Sequence, residues 1–384
     1  MNVQCIVTLA DVDPAEWDAL IYDRHPLLSH AFLYAMEQHG CLTEASGWIP
    51  RYLVIEEQGE LIAAMPLYEK TNSWGEFVFD HAWADAYARY GLDYYPKLVS
   101  AIPFSPVFGQ KLLLKSGREQ QLYPVLLDAL YQVAEQIGAS SAHILFPLGT
   151  EQQYFEQQGW LSRHDCQYHW ENEDYANFEG FLSRLNHKKR KNIRQERRKI
   201  ETAGIHFRQL DGHTANSEDW RQFTRFYNST YERKWGAPIF NQPFFESVAE
   251  KLGKRMVLVL ADRDDDCIAG ALMYRSESVL YGRHWGCSEY HPSLHFETCY
   301  YQGIEFCIQE GIRIFEPGAQ GEHKIARGFR PVRTHSAHWL KDARFRPAVE
   351  QFCEQESRVI RHHIDALKSH DPFKQPEGKL NHPP

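Results

Sequence analysis

Apolar residues along this chain follow two periods, one typical of helices and one typical of strands. In the first half, apolar runs at residues 51–56 and 61–68 flank the turn residues Gln58-Gly59, and this pattern predicts a β-hairpin. Leucines and valines at helical spacing predict a helix at 119–136 that Gly138 ends. The same patterns predict a helix that begins at Asp13-Pro14, strands at 74–79 and 141–146, a short helix at 151–158 and an extended segment at 161–170.

The second half repeats this order of elements. Its patterns predict helices at 178–202 and 217–235, a hairpin of strands 256–261 and 268–274, a strand at 279–285, a helix at 297–309 and a strand at 312–316. Gly159-Trp160 and His169-Trp170 recur as Gly328-Phe329 and His338-Trp339, at a constant offset of 169 residues. Matched residues in matched elements predict an internal duplication, with one lobe at 1–172, a second at 173–370 and a disordered, proline-rich tail at 371–384.

An aromatic, irregular stretch lies between residues 87 and 109, where three prolines exclude a long helix. Its aromatic side chains are Tyr87, Tyr90, Tyr94, Tyr95, Phe104 and Phe108. Two interpretations stay open: these side chains fill a core, or they form the wall of a pocket between the lobes that holds an extended acceptor.

Composition and charge narrow the class of protein. The chain has 384 residues, enough for two domains with real cores, and a formal net charge of −9. Its surface as a whole is therefore not built for nucleic acid or an anionic membrane, and any anion site must be local. No apolar run approaches the length of a membrane span, and the first residues lack the basic region of a signal peptide. The eight cysteines are scattered without a CxxC pair, which predicts reduced thiols in a cytoplasmic protein.

In each predicted half, an antiparallel meander precedes a β-helix-β crossover, and this order resembles the GNAT acyltransferase fold. Three stretches are more specific: Tyr94-Tyr95-Pro96-Lys97-Leu98, the segment 102–109, and the segment 316–324 followed by Arg327-Gly-Phe329. They are similar to a bacterial FemAB-like family that carries a peptidoglycan-biosynthesis name within the acyl-CoA N-acyltransferase superfamily. Ser105 and Lys111 depart from its pattern, which has threonine and arginine there. The resemblance implies an α/β fold of the α+β mixed-sheet type, with two tandem GNAT-like lobes in a FemAB-type arrangement.

A basic run at 184–199 holds nine Lys or Arg residues and one acid, Glu196. On a helix its apolar residues share one face, which leaves Arg190, Lys191 and Arg194 on the solvent side. This run predicts a local site for the phosphates of coenzyme A, of a nucleotide-linked precursor or of tRNA. The alternative is a solvated helix face without a ligand.

The segment 316–327 begins where a predicted strand ends, and a crossover sheet binds ligands at such ends. Glu316 or Glu322 is predicted to accept the proton of an attacking amine, with His323 as the rival base. Lys324 and Arg327 would hold a phosphate or carboxylate. The alternative is a capped turn tied by surface ion pairs.

The resemblance also implies that the strand at 279–285 and the strand after it diverge, so that their unpaired backbone groups bind the pantetheine arm of acyl-CoA. Arg283, Trp285 and Glu297 would then line the donor site, although Glu297 also fits a favourable charge at a helix start. The usual phosphate loop is missing, because Ser288-Glu-Tyr-His-Pro-Ser293 stands in its place. Tyr94, Tyr95 and Lys97 are assigned to the acceptor.

Two other chemistries are excluded. His291 and His295, with Cys287 and Cys299 nearby, lack a suitably spaced third ligand, and Pro292 interrupts the helical pair. We therefore predict no metal. The Gly-x-Ser-x-Gly pattern of a serine hydrolase is absent.

These observations predict an acyl- or aminoacyl-transferase whose donor is acyl-CoA or aminoacyl-tRNA and whose acceptor is an amine, with a cell-wall precursor as one candidate. The second lobe is expected to carry the site, and the cleft between lobes to hold the acceptor. The alternative is a non-catalytic protein that binds a peptidoglycan precursor or tRNA and keeps the same fold. The missing phosphate loop favours this alternative.

Overall fold

The computed structural model describes residues 1–232, 237–319 and 321–374. The first half holds nine strands: β1 (Asn2–Ile6), β2 (Trp48–Pro50), β3 (Tyr52–Glu57), β4 (Glu60–Met65), β5 (Tyr68–Lys70), β6 (Lys97–Ser100), β7 (Leu113–Leu114), β8 (Ser141–Leu145) and β9 (Leu161–Glu171). Its helices are α1 (Pro14–Ala19), α2 (His30–Gln38), α3 (His81–Arg89), α4 (Glu119–Gln136) and α5 (Gly149–Gln157).

The second half continues with β10 (Ile205–Leu210), β11 (Met256–Arg263), β12 (Asp266–Arg275), β13 (Val279–Cys287), β14 (Ile314–Glu316) and β15 (Arg330–Leu340). Its helices are α6 (Phe178–Arg184), α7 (His187–Thr202), α8 (Ser217–Glu232), α9 (Gln242–Leu252), α10 (Leu294–Phe296), α11 (Gln302–Glu310) and α12 (Arg346–Lys368). A π-helical turn (Glu297–Tyr301) joins α10 to α11, and a 3-10 helix (Glu322–Arg327) precedes β15.

Most elements with a clear hydrophobic period form as predicted. The hairpin β3–β4 turns at Gln58-Gly59, and α4 has the bounds that its apolar spacing gives. The second hairpin, β11–β12, and the third strand, β13, also form. In these segments the local pattern and the tertiary burial agree, since one face of each element lies in a core.

Two predictions about local structure are wrong. Residues 74–79 form an irregular loop instead of a strand, because Gly75 and Phe77 both adopt positive φ. The helix predicted at 178–202 is two helices, since Leu185 is extended and the Asn186 side chain caps α7 by accepting the Lys189 N–H at 3.0 Å.

Two other predictions reach beyond the described residues. The predicted helix 217–235 is described to Glu232, and residues 233–236 lie outside the described part. The start of the tail predicted to be disordered pairs with the body of the protein. The carbonyl of Pro372 accepts the Asn186 N–H at 2.9 Å, whereas 375–384 lie outside the described residues.

The last strand of each half pairs with strands of the other half. The large sheet has the order β10-β11-β12-β13-β14-β9-β15-β8-β6-β5-β2, so β9 lies between β14 and β15, and β15 lies between β9 and β8. Phe315 pairs with Trp170 and Ala337 with Ile144 across these borders. The mixed sheet confirms the predicted fold class. The domain division at 172 and the duplication stay predictions, and the sheet runs across that division.

Apolar packing also crosses between the halves. Helix α2 of the first half packs on α9 and on β12, with the Phe32 ring 5.6 Å from Phe244 and 5.7 Å from Tyr274. A second four-stranded sheet, β1-β3-β4-β7, packs against α4 and encloses the first half's own core. The two halves therefore share a core cluster and the large sheet instead of meeting at a small interface.

Gly159 and Gly328 end the helical segments before β9 and β15, the two exchanged strands that pair with the other half, and their φ angles are 79° and 94°. A Cβ atom at Gly328 would lie 2.7 Å from Cζ of Phe181, whereas one at Gly159 would meet no atom within 4 Å. The second glycine is thus required by packing as well as by its backbone conformation.

We therefore expect Gly159→Ala to lower the free energy of unfolding by about 1–2 kcal/mol, the backbone cost of positive φ. Gly328→Ala should lower it by about 2–5 kcal/mol, because overlap with Phe181 adds to that cost. Denaturant unfolding followed by circular dichroism compares the two variants. Equal losses would contradict the packing argument.

Candidate functional site

Strands β13 and β14 diverge at the carboxyl end of β14. They pair in parallel at three positions, from Val279 with Ile314 to Tyr281 with Glu316. Beyond this point β14 ends, while β13 continues to Cys287 along β12. A bulge leaves Arg283 without a partner in the β12 register, and such bulges turn a strand away from its neighbour. This is the divergence that the sequence resemblance implies.

A cavity of about 860 Å³ lies at this divergence and takes its walls from both halves. The second half contributes residues 282–285 of β13, residues 317–319 after β14 and side chains of the π-helical turn and the 3-10 helix. The first half contributes the loop 72–79 and the aromatic segment that contains Tyr95 and Phe104. The aromatic stretch is therefore partly a pocket wall, one of the two interpretations left open by the sequence.

The corresponding place in the first half is closed. Strands β6 and β8 also pair in parallel, from Leu98 with Ala142 to Ser100 with Ile144. Beyond them, the Lys111 ammonium donates to the carbonyls of Gly109 and Phe146 at 2.7 and 3.1 Å and draws the chain into the gap. Of these two divergences, the described structure opens the one in the second half onto a large cavity.

In the described structure two cations line this cavity, Arg283 and Lys324, and Lys324 has 2% of its surface exposed. Its ammonium donates to the Gly318 carbonyl at 2.7 Å, and this is its one hydrogen bond to a described residue. Burial lowers the pKa of Lys324 to about 8, so the amine is mostly charged at neutral pH. It can therefore still donate to a bound anion.

His323 also lines the cavity, and its Nε2 lies 3.0 Å from the Tyr300 hydroxyl. Gly321, at φ 117°, passes so close to the imidazole that a Cβ atom there would overlap the ring. Partial burial and the charges of Arg327 and Lys324 lower the pKa of His323. The imidazole is thus neutral near pH 7 and can accept a proton.

The π-helical turn adds side chains that the sequence analysis missed. It places Cys299 and Tyr300 on the cavity, and His295 lies beside them. Such turns occur often at functional sites, because the widened turn redirects side chains. The apolar period at 297–309 predicts a helix there but cannot reveal its extra residue.

The three residues assigned to the donor separate into two groups. Arg283 and Trp285 line the cavity, and the Arg283 guanidinium donates to the Phe104 carbonyl at 2.6 Å. Glu297 does not line it. Its carboxylate is buried against Arg197 at 3.0 Å and accepts the Gln302 amide at 2.9 Å. The geometry therefore corrects the assignment of Glu297, which fastens the π-helical turn to α7.

Glu316 and Glu322 lie away from the cavity, although both were predicted proton acceptors. Glu316 lines a separate cavity of about 270 Å³ together with His25 and His169, and burial raises its pKa to about 8. Glu322 is exposed, 3.7 Å from His363. Of the three predicted bases, His323 is the one that the structure places on the large cavity.

Arg327 is also corrected. It is buried, donates to Glu196 of α7 at 2.7 Å, and stacks on Phe296 with 3.4 Å between its guanidinium carbon and the ring centroid. The Arg327 guanidinium therefore links the 3-10 helix to α7 through an ion pair. Arg327 does not line the cavity, and the predicted anion contact there stays a prediction.

Lys97 and Tyr94 hold the cavity wall from behind. The fully buried Lys97 ammonium lies 2.8 Å from Glu76 and also pairs with Asp80, to which the Tyr94 hydroxyl donates at 2.6 Å. Glu76 and Asp80 belong to the loop of the first half's wall. Lys97 and Tyr94 are therefore positioning residues and not substrate contacts, whereas Tyr95 reaches the cavity itself.

The basic helix α7 keeps a charged outer face. Ile193 and Ile200 are buried, as the period predicts, while Lys191 is exposed and Arg194 pairs with Glu179 on the surface. Among the described residues, Arg190 and Lys191 have no ion-pair partner. Its inner face touches the π-helical turn, where the Tyr301 hydroxyl donates to Glu196. The local anion site on α7 stays a prediction.

The described structure shows neither a metal-ligand cluster nor a membrane-spanning helix. In residues 1–232, 237–319 and 321–374, no three His, Cys, Asp or Glu side chains are grouped so as to hold a metal ion. No described helix is long and apolar enough to span a membrane.

One family model matches the chain. It is the FemAB-like family, described as peptidoglycan biosynthesis/recognition, and it covers residues 8–375. No curated protein sequence matches.

Solved structures share the fold. A crystal structure of FemX has a TM-score of 0.55 at 13% identity, covering 91% of this chain and 100% of its own. L-PGS from Bacillus licheniformis has a TM-score of 0.51 at 11% identity, covering 93% and 98%. The C-terminal domain of a lysylphosphatidylglycerol synthetase from Agrobacterium fabrum has 0.51 at 8% identity, covering 90% and 96%.

The buried cluster behind the wall generates a prediction. Lys97→Met should lower the free energy of unfolding by about 3–5 kcal/mol, because Asp80 loses its buried cation. Lys115→Met, which breaks a partly exposed pair with Glu60, should lower it by less than about 1 kcal/mol. Denaturant titration measures both, and a similar small effect of the two changes would show that Lys97 does not stabilise the wall.

Proposed function

The chain belongs to the FemAB-like family, and from this membership and the cavity where β13 leaves β14 we propose that it transfers an acyl or aminoacyl group to an amine. One observation carries the proposal. A neutral imidazole, His323, and a buried ammonium, Lys324, lie side by side on an open cavity at the end of a strand. A base and a fixed cation in one site are what amide formation by direct transfer needs.

The reaction follows from these two groups. The amine nitrogen attacks the carbonyl carbon of an activated ester, the new N–C bond forms, and the C–S or C–O bond to the carrier breaks. His323 takes the proton that the nitrogen loses and returns it to the departing thiolate or alkoxide. Lys324 stabilises negative charge on the carbonyl oxygen or on the leaving group. No oxidant or metal is required for this balance.

The donor is the finer part of the proposal. The loop 288–293 holds Glu289, paired with Arg263 at 3.0 Å, where the usual phosphate loop would present backbone N–H groups. An acid there repels a pyrophosphate. The unpaired cations of α7 are the better phosphate contact, and α7 borders the π-helical turn of the site. These features support aminoacyl-tRNA as the donor at least as well as acyl-CoA. Both donors occur in the cytoplasm, where we propose that the enzyme acts.

The acceptor proposed from the family description is the amine of a cell-wall precursor. It would enter between the halves, along the wall built by the loop 72–79 and Tyr95. A second function, binding of such a precursor without transfer, is favoured by the same missing phosphate loop. It uses the same cavity but makes no demand on His323.

Native mass spectrometry of the purified protein tests the donor and the alternative. A retained CoA thioester or aminoacyl-tRNA, together with label transfer from it to an amine, supports the enzyme. A retained precursor with no transfer from either donor supports the binding protein instead.

With the donor and acceptor so identified, the pH dependence of kcat/KM gives a sharper prediction. Activity should rise with pH as His323 loses its proton, with a midpoint below the usual histidine value, and fall near pH 8 as Lys324 loses its charge. Lys324→Met should abolish the alkaline fall, and His323→Ala should lower kcat/KM by about 10²–10⁴-fold.

The exposed Lys251 provides a matched control, since Lys251→Met removes a surface amine outside the cavity. This variant should keep the wild-type profile. If kcat/KM of Lys324→Met still fell near pH 8, Lys324 would have no part in the proposed mechanism. If His323→Ala kept full activity, His323 would not be the base.

A further inference from the structure

The size of the cavity exceeds what a small transferred group needs. Its 860 Å³ lies near the upper end of the roughly 300–1,000 Å³ range of sites for drug-sized ligands. An acetyl or glycyl group has only a few heavy atoms and would leave most of this space filled with water. The acyl group, the part of its carrier that enters the cavity, or the acceptor must therefore be large.

The walls are mostly apolar. Trp74, Phe104, Ile239, Leu272 and Met273 all line the cavity, with aromatic rings from α8 and β13 beside them. Leu272 and Met273 are neighbours on β12 and belong to cores on opposite faces of the sheet. The cavity is therefore lined by residues from both faces of the sheet.

The rim of the cavity exposes large apolar side chains. In the loop 72–79, Trp74 is 46% exposed, Phe77 41% and Phe79 59%. The buried cluster of Lys97, Glu76 and Asp80 fixes this loop. Three solvent-exposed aromatic side chains at the edge of the cavity form the kind of apolar patch that marks a binding surface.

Three of the polar groups form a cluster, in which Lys324 and His323 both contact Tyr300. The Phe104 ring contacts the rings of Trp48, Trp74 and Phe240, and Arg283 donates to the Phe104 carbonyl. A ligand that satisfies both clusters carries an apolar chain and one polar or anionic end. The hydrophilic part of either substrate would therefore lie at the polar groups and not against the apolar walls.

We propose that the cavity binds a fatty chain whose carbonyl or anionic head lies at Lys324. The proposal rests on the proposed function, since the chain would belong to one of the two substrates of transfer. Its source is either a fatty-acyl thioester donor or a lipid acceptor, and the chemistry of the chain is shared by both.

The test uses decanoate, acetate and decyltrimethylammonium as probes of the purified full chain, below micelle-forming concentrations, in isothermal titration calorimetry. Decanoate should bind about tenfold or more tightly than either acetate, which lacks the chain, or decyltrimethylammonium, which has the opposite charge. Lys324→Met should remove the preference for decanoate over the cation. Equal binding of decanoate and acetate would overturn the proposal.

Ala319→Trp places a bulky side chain on the cavity wall in a partly exposed loop, where folding is not at risk. It should weaken decanoate binding by about tenfold or more. Ala10→Trp, an exposed position in the turn before α1, is the matched control and should leave binding unchanged. Undiminished binding by Ala319→Trp would show that the chain lies elsewhere. If the circular dichroism spectrum shows that Ala319→Trp disturbs the fold, the smaller substitution Ala319→Leu takes its place in the binding measurement.

Decanoyl-CoA and a decanoyl lysolipid then separate the two sources, because the true substrate should bind more tightly than decanoate alone. Failure of this inference is distinguishable from failure of the proposed function. Transfer that proceeds equally with acetyl and decanoyl donors overturns the fatty-chain proposal and leaves the transferase. Decanoate binding at Lys324 without transfer from any donor overturns the proposed transferase and leaves the fatty-chain proposal.

Discussion

The backbone pairing between the two exchanged strands, β9 and β15, is the interaction on which the rest of this structure depends. Nine residue pairs, from Arg330 with His169 to His338 with Leu161, join the halves in the middle of one sheet. Each strand is also held on its other side by the opposite half, so neither half can complete its sheet alone. The position of the first half's aromatic loop over the second half's open strands follows from this pairing.

Buried charges help to fix the walls of the cavity and the segments around it. Lys97 holds the loop of the first half, Lys111 closes the first half's own divergence, and Arg327 ties α7 to the 3-10 helix. Each of these cations has its partners within the protein. Lys324 differs, because it is equally buried but has one carbonyl partner among the described residues and faces the open cavity. The number of partners, and not the charge alone, distinguishes a structural cation from a site residue.

This arrangement also explains why one half serves as a wall and the other as a site. The two halves have the same parallel strand pair, but the first half fills its gap with residues 101–109, and Phe104 from that segment extends into the second half's cavity. Similar strand geometry therefore supports two tasks.

The sequence by itself determined the elements whose pattern repeats locally. The hairpins β3–β4 and β11–β12, the helix α4 and the resemblance carried by the segment 316–324 were all readable, because hydrophobic period and motif depend only on near neighbours. It also named four residues that line the large cavity, Arg283 and Trp285 from the resemblance and His323 and Lys324 from their place after a predicted strand. Only the tertiary structure decided that Glu316 faces a different cavity, that Glu297 and Lys97 are neutralised by distant partners and that β9 and β15 change places. Burial and ion pairing depend on residues far apart in the chain, and no local spacing records which of them meet.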